Sequence, residues 1–149
     1  MRLLTAIDQL FILLENRNQP MHIGGLFLFE IPDGASDTFV SDLVQQMVTQ
    51  KTPPSFPFNQ VLYHLAWWKT DENFEVDHHF RHIALPKPAR IRELLTYVSQ
   101  EHSKLLNRAK PMWECHIIEG IEDNRFALYF KIHHSMVDGI AAIRLVKKS

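Results

Sequence analysis

Cysteine is nearly absent from this sequence. The 149 residues contain one, Cys115. A single thiol excludes an internal disulfide and is typical of a protein that stays in a reducing compartment. Cys115 lies in a predicted strand, where a small buried apolar side chain is a better interpretation than a nucleophile.

Long hydrophobic runs are also absent. The longest uninterrupted apolar stretches have about seven residues, whereas a membrane-spanning helix needs roughly 20. The first segment has one arginine and then the acidic residues Asp8 and Glu15, which is not the pattern of a secretory signal. These features indicate a cytoplasmic protein.

Neither sign of charge dominates the chain. Sixteen Lys and Arg residues against 17 Asp and Glu residues give a net charge of −1. Contacts with phosphates need clustered Lys and Arg, so the sequence excludes a nucleic-acid-binding protein. Hydrophobic residues make up 46% of the chain, which is ordinary for a globular protein and sufficient for one domain with its own core.

The most informative stretch that is present is His133–Gly139, which reads H-H-x-x-x-D-G and follows the apolar run Phe126–Ile132. A histidine at the end of a buried strand can take and return a proton near neutral pH. Asp138 can fix the ring, and Gly139 allows a sharp turn or a close ligand. The pattern predicts a proton-transfer site. The alternative is a histidine-rich turn in which Asp138 caps a helix that begins at Gly139.

Further blocks occur in order along the chain. They are Ile7-Asp8, Leu13–Glu15, Pro20–Leu26, Asp77–His82, Leu85-Pro86, Arg92–Leu95, Pro111–Glu114 and Ile118–Gly120. Together with the H-H-x-x-x-D-G motif, they make nearly the whole chain resemble the bacterial wax ester synthase/diacylglycerol acyltransferase family. That family belongs to the CoA-dependent acyltransferases with this motif. Pro111-Met112-Trp113 is similar to the family's P-L-W motif, with methionine in place of leucine.

The resemblance implies an O-acyltransferase that moves a fatty acyl group from acyl-CoA to a long-chain alcohol or a diacylglycerol. The products are wax ester or triacylglycerol, and CoA. It places the general base on the second histidine of the motif, His134, and implies no cofactor beyond the co-substrate and no metal. Because the acceptors are lipids, we expect peripheral contact with a membrane or lipid bodies, although no strongly basic amphipathic helix marks the contact face.

Family members are much longer, and their active site lies between two similar domains. The resemblance therefore implies that residues 1–149 are the N-terminal acyltransferase domain and that a C-terminal domain is missing. We expect residues 1–149 alone to be weakly active or inactive. The alternative is a non-catalytic fragment that binds a lipid surface or a partner.

The other motif residues have supporting roles in this interpretation. Asp138 either orients His134 or pairs with an arginine such as Arg144 to brace the loop, and related acyltransferases favour bracing. His133 is expected behind His134, hydrogen-bonded to the backbone. Ser135 lacks the G-x-S-x-G turn that exposes a nucleophile, so we do not expect it to react.

His78, His79 and His82 form a second histidine group. On a strand, His78 and His82 share a face while His79 points away. No cysteine pair and no H-E-x-x-H motif accompanies them, so the pattern favours surface histidines over a metal site.

Apolar periodicity predicts helices and strands in mixed order. The predicted elements are a helix capped by Thr5 with Ile7, Leu10, Phe11 and Leu14 on one face, a strand His22–Ile31, a helix capped by Ser36 or Asp37, an undecided segment Val61–Trp68, a strand His79–Leu85 broken at Pro86, a helix Arg90–Leu106, strands Trp113–Ile118 and Arg125–Ile132, and a helix from Ile140. This order suits a two-layer α/β sandwich with helices on a mixed sheet. It is compatible with the chloramphenicol-acetyltransferase-like fold that the resemblance implies.

Overall fold

A mixed four-stranded sheet forms the centre of the molecule. The computed structural model describes residues 1–49, 54–137 and 140. The elements are β1 (Arg2–Leu3), α1 (Ala6–Leu14), β2 (His22–Glu30), α2 (Phe39–Val48), β3 (Gln60–Tyr63), β4 (Trp67–Thr70), α3 (Val76–His79), β5 (Phe80–Ala89), α4 (Ile91–His102), β6 (Trp113–Ile121) and β7 (Arg125–His133). The central sheet has the strand order β2-β7-β6-β5.

Both parallel and antiparallel pairs occur in this sheet. β7 is antiparallel to β2 and β6, while β5 is parallel to β6. A parallel pair needs a crossover connection, and α4 provides it between β5 and β6. The predicted mixed α/β class is confirmed. Because β2 and β7 pair along their whole length, His22 lies opposite His133 at one end of the sheet.

The two faces of the sheet bury different residues, because side chains alternate along each strand. On one face, Leu94 of α4 packs against Ile118, Ala127 and Tyr129. The other face carries a larger cluster that includes Trp113, Cys115, Ile117 and Ile132 and is covered by α2 and by a small sheet of order β1-β4-β3. Cys115 is buried there, and burial raises the pKa of its thiol to about 11, as expected of an unreactive cysteine.

α1 begins where the sequence predicts, and its aliphatic face is exposed to solvent. The Thr5 hydroxyl accepts a hydrogen bond from the backbone N–H of Asp8 at 3.1 Å, so the predicted cap is confirmed. Ile7 and Leu10 of the aliphatic face are more than half exposed, while Asp8 and Ile12 are buried. The side of the helix that carries Asp8 therefore faces the interior.

Two stretches around the prolines and aromatics differ from the prediction. The segment Val61–Trp68, which the sequence left undecided, lies in the antiparallel hairpin β3–β4. The hairpin turns at His64 and Leu65, whose φ angles are positive. β5 continues through the prolines to Ala89 rather than breaking at Pro86. Its pairing with β6 is interrupted between Ala84 and Ala89, so the prolines fall where no ladder hydrogen bond is required.

Helix ends also depart from the prediction. α2 is capped by Thr38 rather than by Ser36 or Asp37. α4 ends at His102 instead of Leu106, because the buried ammonium group of Lys131 takes the carbonyl oxygens of Glu101 and Lys104 at 2.8 and 2.7 Å. After β7, residues 134–137 are already helical, so this helix starts earlier than the predicted Ile140.

Gly120 is the glycine on which the β6 edge depends. Its φ is +94°, and a Cβ there would lie in severe contact with the backbone oxygen of Leu85. Gly34 also has a positive φ, +80°, but open space surrounds its missing side chain. We expect Gly120→Ala to lower the free energy of unfolding by about 3 kcal/mol or more, and Gly34→Ala by about 1 kcal/mol. Urea unfolding of both variants measures the difference, and equal losses would contradict the steric argument.

Candidate active site

The histidine pair lies where β7 ends and a helix begins. His133 is the last residue of β7 and is fully buried, whereas His134 opens the helical residues 134–137 and is partly buried. The backbone N–H of His133 donates to the carbonyl of Met112 at 3.0 Å, and that of His134 donates to the carbonyl of Met21 at 2.8 Å. Two distant connections therefore hold the backbone of the pair.

The ring of His134 lies against an aromatic side chain of α1. It stacks on Phe11 of α1, with ring centroids 4.8 Å apart and an interplanar angle of 24°. Within residues 1–49, 54–137 and 140, no group forms a hydrogen bond with either nitrogen of this ring. The predicted role of His134 as a base stays a prediction.

The ring of His133 is enclosed instead. Its Nδ1 accepts the backbone N–H of Ser135 at 3.2 Å and lies 2.7 Å from the Ser135 hydroxyl oxygen. Its Nε2 lies 3.1 Å from Oε2 of Glu15, an ion-pair contact whose angle falls short of a well-directed hydrogen bond. Since Nδ1 accepts a proton donor, the neutral ring holds its proton on Nε2, toward the carboxylate.

Glu15 is the negative charge of the site. Its side chain is 1% exposed, and Oε2 accepts the backbone N–H of Met21 at 2.8 Å. Oε1 accepts a hydrogen bond from Arg108 at 3.3 Å. Burial by itself raises the pKa of this carboxyl group, but contacts with His133, Met21 and Arg108 outweigh it and lower the pKa from 4.5 to about 2. Glu15 is therefore ionised at neutral pH.

The remaining motif residues divide into two groups. Ser135 is fully buried with its hydroxyl against His133, which is no place for a nucleophile that must reach a substrate. Asp138, Gly139 and Arg144 lie outside the described residues, so the predicted orienting, bracing and turning roles stay predictions.

Glu15, Met21 and Arg108 are site residues that the motif did not predict. A usable signal was present for Glu15, because Asp8, Ile12 and Glu15 recur at helical spacing. That spacing gives α1 a second face, with two carboxylates, opposite its aliphatic one. No local pattern points to Arg108, which approaches Glu15 from 93 residues away.

A polar layer continues from the motif beneath α4. Lys131, two residues before His133 on the same face of β7, is buried and lies 3.9 Å from Glu114. Glu114 accepts a hydrogen bond from His116 at 3.1 Å, and Tyr97 donates to the other nitrogen of His116 at 2.7 Å. Burial lowers the pKa of Lys131, while the nearby carboxylates oppose that shift. These groups fix α4 on the sheet through satisfied polar contacts.

His22 and His102 join this layer to the motif. Nε2 of His22 donates to the carbonyl oxygen of His102 at 2.6 Å, and the two rings meet edge to face. Nδ1 of His102 and the hydroxyl of Tyr129 are 2.5 Å apart. Gly24 leaves the space that Tyr129 and His102 occupy, since a Cβ there would lie 2.8 Å from the Tyr129 ring. The glycine break in β2 therefore has a packing role.

The second histidine group differs from the prediction. His78 and His79 lie in α3 rather than on a strand, and His79 is buried rather than at the surface. Nδ1 of His79 donates to the carbonyl oxygen of Trp113 at 2.7 Å, and its ring stacks between Phe74 and Trp113. Burial lowers its pKa to about 4. His82 lies apart, 2.5 Å from Glu119.

Trp113 has a packing role. Its indole N–H donates to the carbonyl of Phe58 at 2.9 Å, and its ring contacts His79, Phe80 and Phe130. Among the described residues, no group of three or more His, Cys, Asp or Glu side chains is placed to hold a metal ion. In the same part of the chain, no helix is long and apolar enough to cross a membrane.

Comparison with known proteins gives the family. The model of the wax ester synthase/diacylglycerol acyltransferase catalytic domain matches residues 4–149. The chain belongs to this family. It is 64% identical over 149 residues to the O-acyltransferase WSD of Acinetobacter baylyi and 39% identical over 155 residues to a probable diacylglycerol O-acyltransferase of Mycobacterium tuberculosis. The chain spans about a third of the length of these relatives, 32% and 34%.

Solved structures agree with the fold. The wax ester synthase/diacylglycerol acyltransferase of Marinobacter aquaeolei superimposes with a TM-score of 0.86 at 53% identity, covering 98% of this chain and 37% of that one. The starter condensation domain of the rhizomide synthetase matches with a TM-score of 0.62 at 12% identity, covering 93% of this chain and 33% of that one. The second likeness concerns the fold alone.

The low pKa of Glu15 predicts an acid-dependent part of the stability. The folded-state pKa of about 2 lies below the ordinary 4.5, so its contribution is complete above about pH 4.5 and is lost as the pH falls toward 2. The difference corresponds to about 3 kcal/mol. We expect the gap in unfolding free energy between the wild type and Glu15→Gln to narrow from pH 6 to pH 3. Urea unfolding measures it, with the exposed Glu72→Gln as control. A gap that does not change with pH would contradict the assignment.

Proposed function

We propose that this protein is an acyl-CoA-dependent O-acyltransferase whose general base is His134. The acceptor is a long-chain alcohol or the free hydroxyl of a diacylglycerol. The support is the membership of the family, the O-acyltransferase names of relatives at 64% and 39% identity, and the motif geometry.

The observation on which the assignment of the base rests is the contrast between the two rings. His133 has Ser135 at one nitrogen and Glu15 at the other, and no part of it is exposed. His134 is partly buried and, among the described residues, its ring only stacks on Phe11. A base must reach the hydroxyl group of an incoming acceptor, and His134 alone of the pair meets that condition.

The proposed reaction has one addition and one elimination. His134 takes the proton of the acceptor hydroxyl while its oxygen attacks the thioester carbonyl carbon, forming a C–O bond and a tetrahedral oxyanion. The carbonyl re-forms, the C–S bond breaks, and the proton returns from His134 to the leaving thiolate. The products are the ester and CoA, and no acyl-enzyme is formed.

We also propose that this domain works with a C-terminal domain. The relatives are about three times longer than the chain, and the aliphatic side of α1, next to the motif, is open to solvent at Ile7, Leu10 and Leu13. A second domain over this side would close the site around the acyl chain. A mixture of residues 1–149 with a separately produced C-terminal domain tests this, with turnover expected to exceed that of either part.

Contact with a lipid surface follows from the proposed acceptors. Long-chain alcohols and diacylglycerols are insoluble in water, so we propose that the protein works peripherally at a cytoplasmic membrane or lipid body. Sedimentation with vesicles containing diacylglycerol measures this, and binding equal to that of an unrelated cytosolic protein would reject it.

Replacement of the base gives the main prediction. We expect His134→Ala to lower kcat for CoA release by about 100-fold or more, because general-base catalysis contributes 10²–10⁴. The matched control is His82→Gln, whose ring lies near the start of β5 and pairs with Glu119 rather than with a motif residue. The assay follows the free thiol of CoA released by residues 1–149 mixed with the C-terminal domain. Cys115 adds no background, since it is buried and the pKa of its thiol is raised.

The outcomes separate the two functions. Full turnover by His134→Ala rejects the assigned base. Vesicle binding without any CoA release, unchanged by His134→Ala and unchanged by added C-terminal domain, would instead support a non-catalytic fragment that binds lipid.

A further inference from the structure

We propose that Arg108 is a positioning residue for this site, which fixes Glu15 and the end of α1 and thereby holds the rings of His133 and His134 in place. This inference rests on the proposed function for its kinetic consequence but not for its structural one.

Arg108 makes two contacts with α1 through one guanidinium nitrogen. Nη2 donates to the backbone carbonyl of Ile12 at 2.6 Å and to Oε1 of Glu15 at 3.3 Å. Ile12 lies in the last turn of α1, where carbonyl groups have no partner within the helix. The guanidinium group therefore caps the helix and binds the carboxylate that follows it. Nη2 carries two N–H groups, so it can donate to both acceptors.

Both histidines of the motif depend on the end of α1 that Arg108 holds. Phe11 stacks on the ring of His134, and Glu15 contacts Nε2 of His133. Glu15 also binds the N–H of Met21, whose carbonyl accepts the N–H of His134. A shift of this helix end would therefore displace the base itself.

Arg108 is also tied to the motif from the other side. It lies in the connection between α4 and β6, four residues before Met112, whose carbonyl accepts the N–H of His133. Movement of Arg108 is thus limited by a segment that holds the motif directly.

The charges around His133 explain why a cation is needed here. The described groups that face it are Glu15 from α1, His22 from β2, Lys131 and Ser135 from its own segment, and Arg108 through Glu15. Nδ1 of His133 accepts the Ser135 N–H, so a second ring proton would place two donors against each other. Arg108 also binds Glu15, so this carboxylate keeps a fixed place against Nε2 of His133. Without the guanidinium group, Glu15 loses a donor and its contact with His133 shifts.

The test is a double-mutant cycle in residues 1–149, assayed together with the C-terminal domain. We expect Arg108→Met to lower kcat about 10- to 100-fold with KM nearly unchanged, since small displacements of reacting groups cost rates of this order. In a Glu15→Gln background, Arg108→Met should lower kcat by a smaller factor than in the wild type, because the contact with the Glu15 carboxylate is already lost and only the contact with the Ile12 carbonyl remains. Arg108→Lys should recover part of the loss.

A second measurement is independent of turnover. Nitrogen-15 NMR of the histidine rings, with the signals of His133 assigned by His133→Gln, should show in the wild type an Nδ1 that accepts a hydrogen bond and an Nε2 that carries a proton. Arg108→Met should shift the Nε2 signal because Glu15 moves, and in a Glu15→Gln background Arg108→Met should shift it less. The matched control is Lys110→Gln, a cation of the same connection that pairs with Glu75.

Each outcome decides one question. Multiplicative losses in the cycle, or an Nε2 signal of His133 that Arg108→Met leaves unaltered, would overturn the role of Arg108. If the wild type releases no CoA under any condition, the proposed function fails, while the ring spectra still decide the inference on Arg108.

Discussion

A carboxylate buried at the end of a helix determines how the histidine pair is held. An ionised Glu15 with almost no exposure is tolerated only if nearby donors replace the water it has lost. A backbone N–H at Met21, the guanidinium group of Arg108 and the ring of His133 provide them. These three groups come from different parts of the chain, so the carboxylate is satisfied only when α1, the sheet and the connection before β6 have docked together.

The two histidines of the motif lie in different environments because β7 ends between them. His133 is the last residue of β7 and is buried, whereas His134 starts a helical turn and is partly buried. Two neighbouring residues of the same type thus meet opposite environments. The buried ring of His133 is held by Ser135 and Glu15. The ring of His134 stacks on Phe11 and has no hydrogen-bond partner among the described residues. This is why chemically identical side chains have different proposed roles.

The two faces of the central sheet stabilise the fold by different means. One face is an apolar and aromatic cluster around Trp113, while the other adds to its apolar contacts a layer of hydrogen-bonded groups under α4 that includes Lys131, Glu114 and His116. The polar layer reaches the motif through His22. The same architecture occurs at 12% identity in a condensation domain, so the fold by itself does not select a reaction. The proposed reaction rests instead on the family and on the residues at the end of β7.

The local sequence determined the mixed α/β class, the cap at Thr5, the strands β2, β6 and β7, and the place of the histidine motif, because these follow from periodicity, capping and spacing over short distances. Tertiary structure decided which side of α1 is buried, since an aliphatic stripe is open to solvent where no described neighbour covers it and a carboxylate is buried where donors await it. It also decided where α4 ends, through a lysine from β7, and it brought Arg108 to Glu15 across 93 residues. Long-range contacts of this kind leave no periodic trace, and they distinguish the enclosed His133 from the partly buried His134.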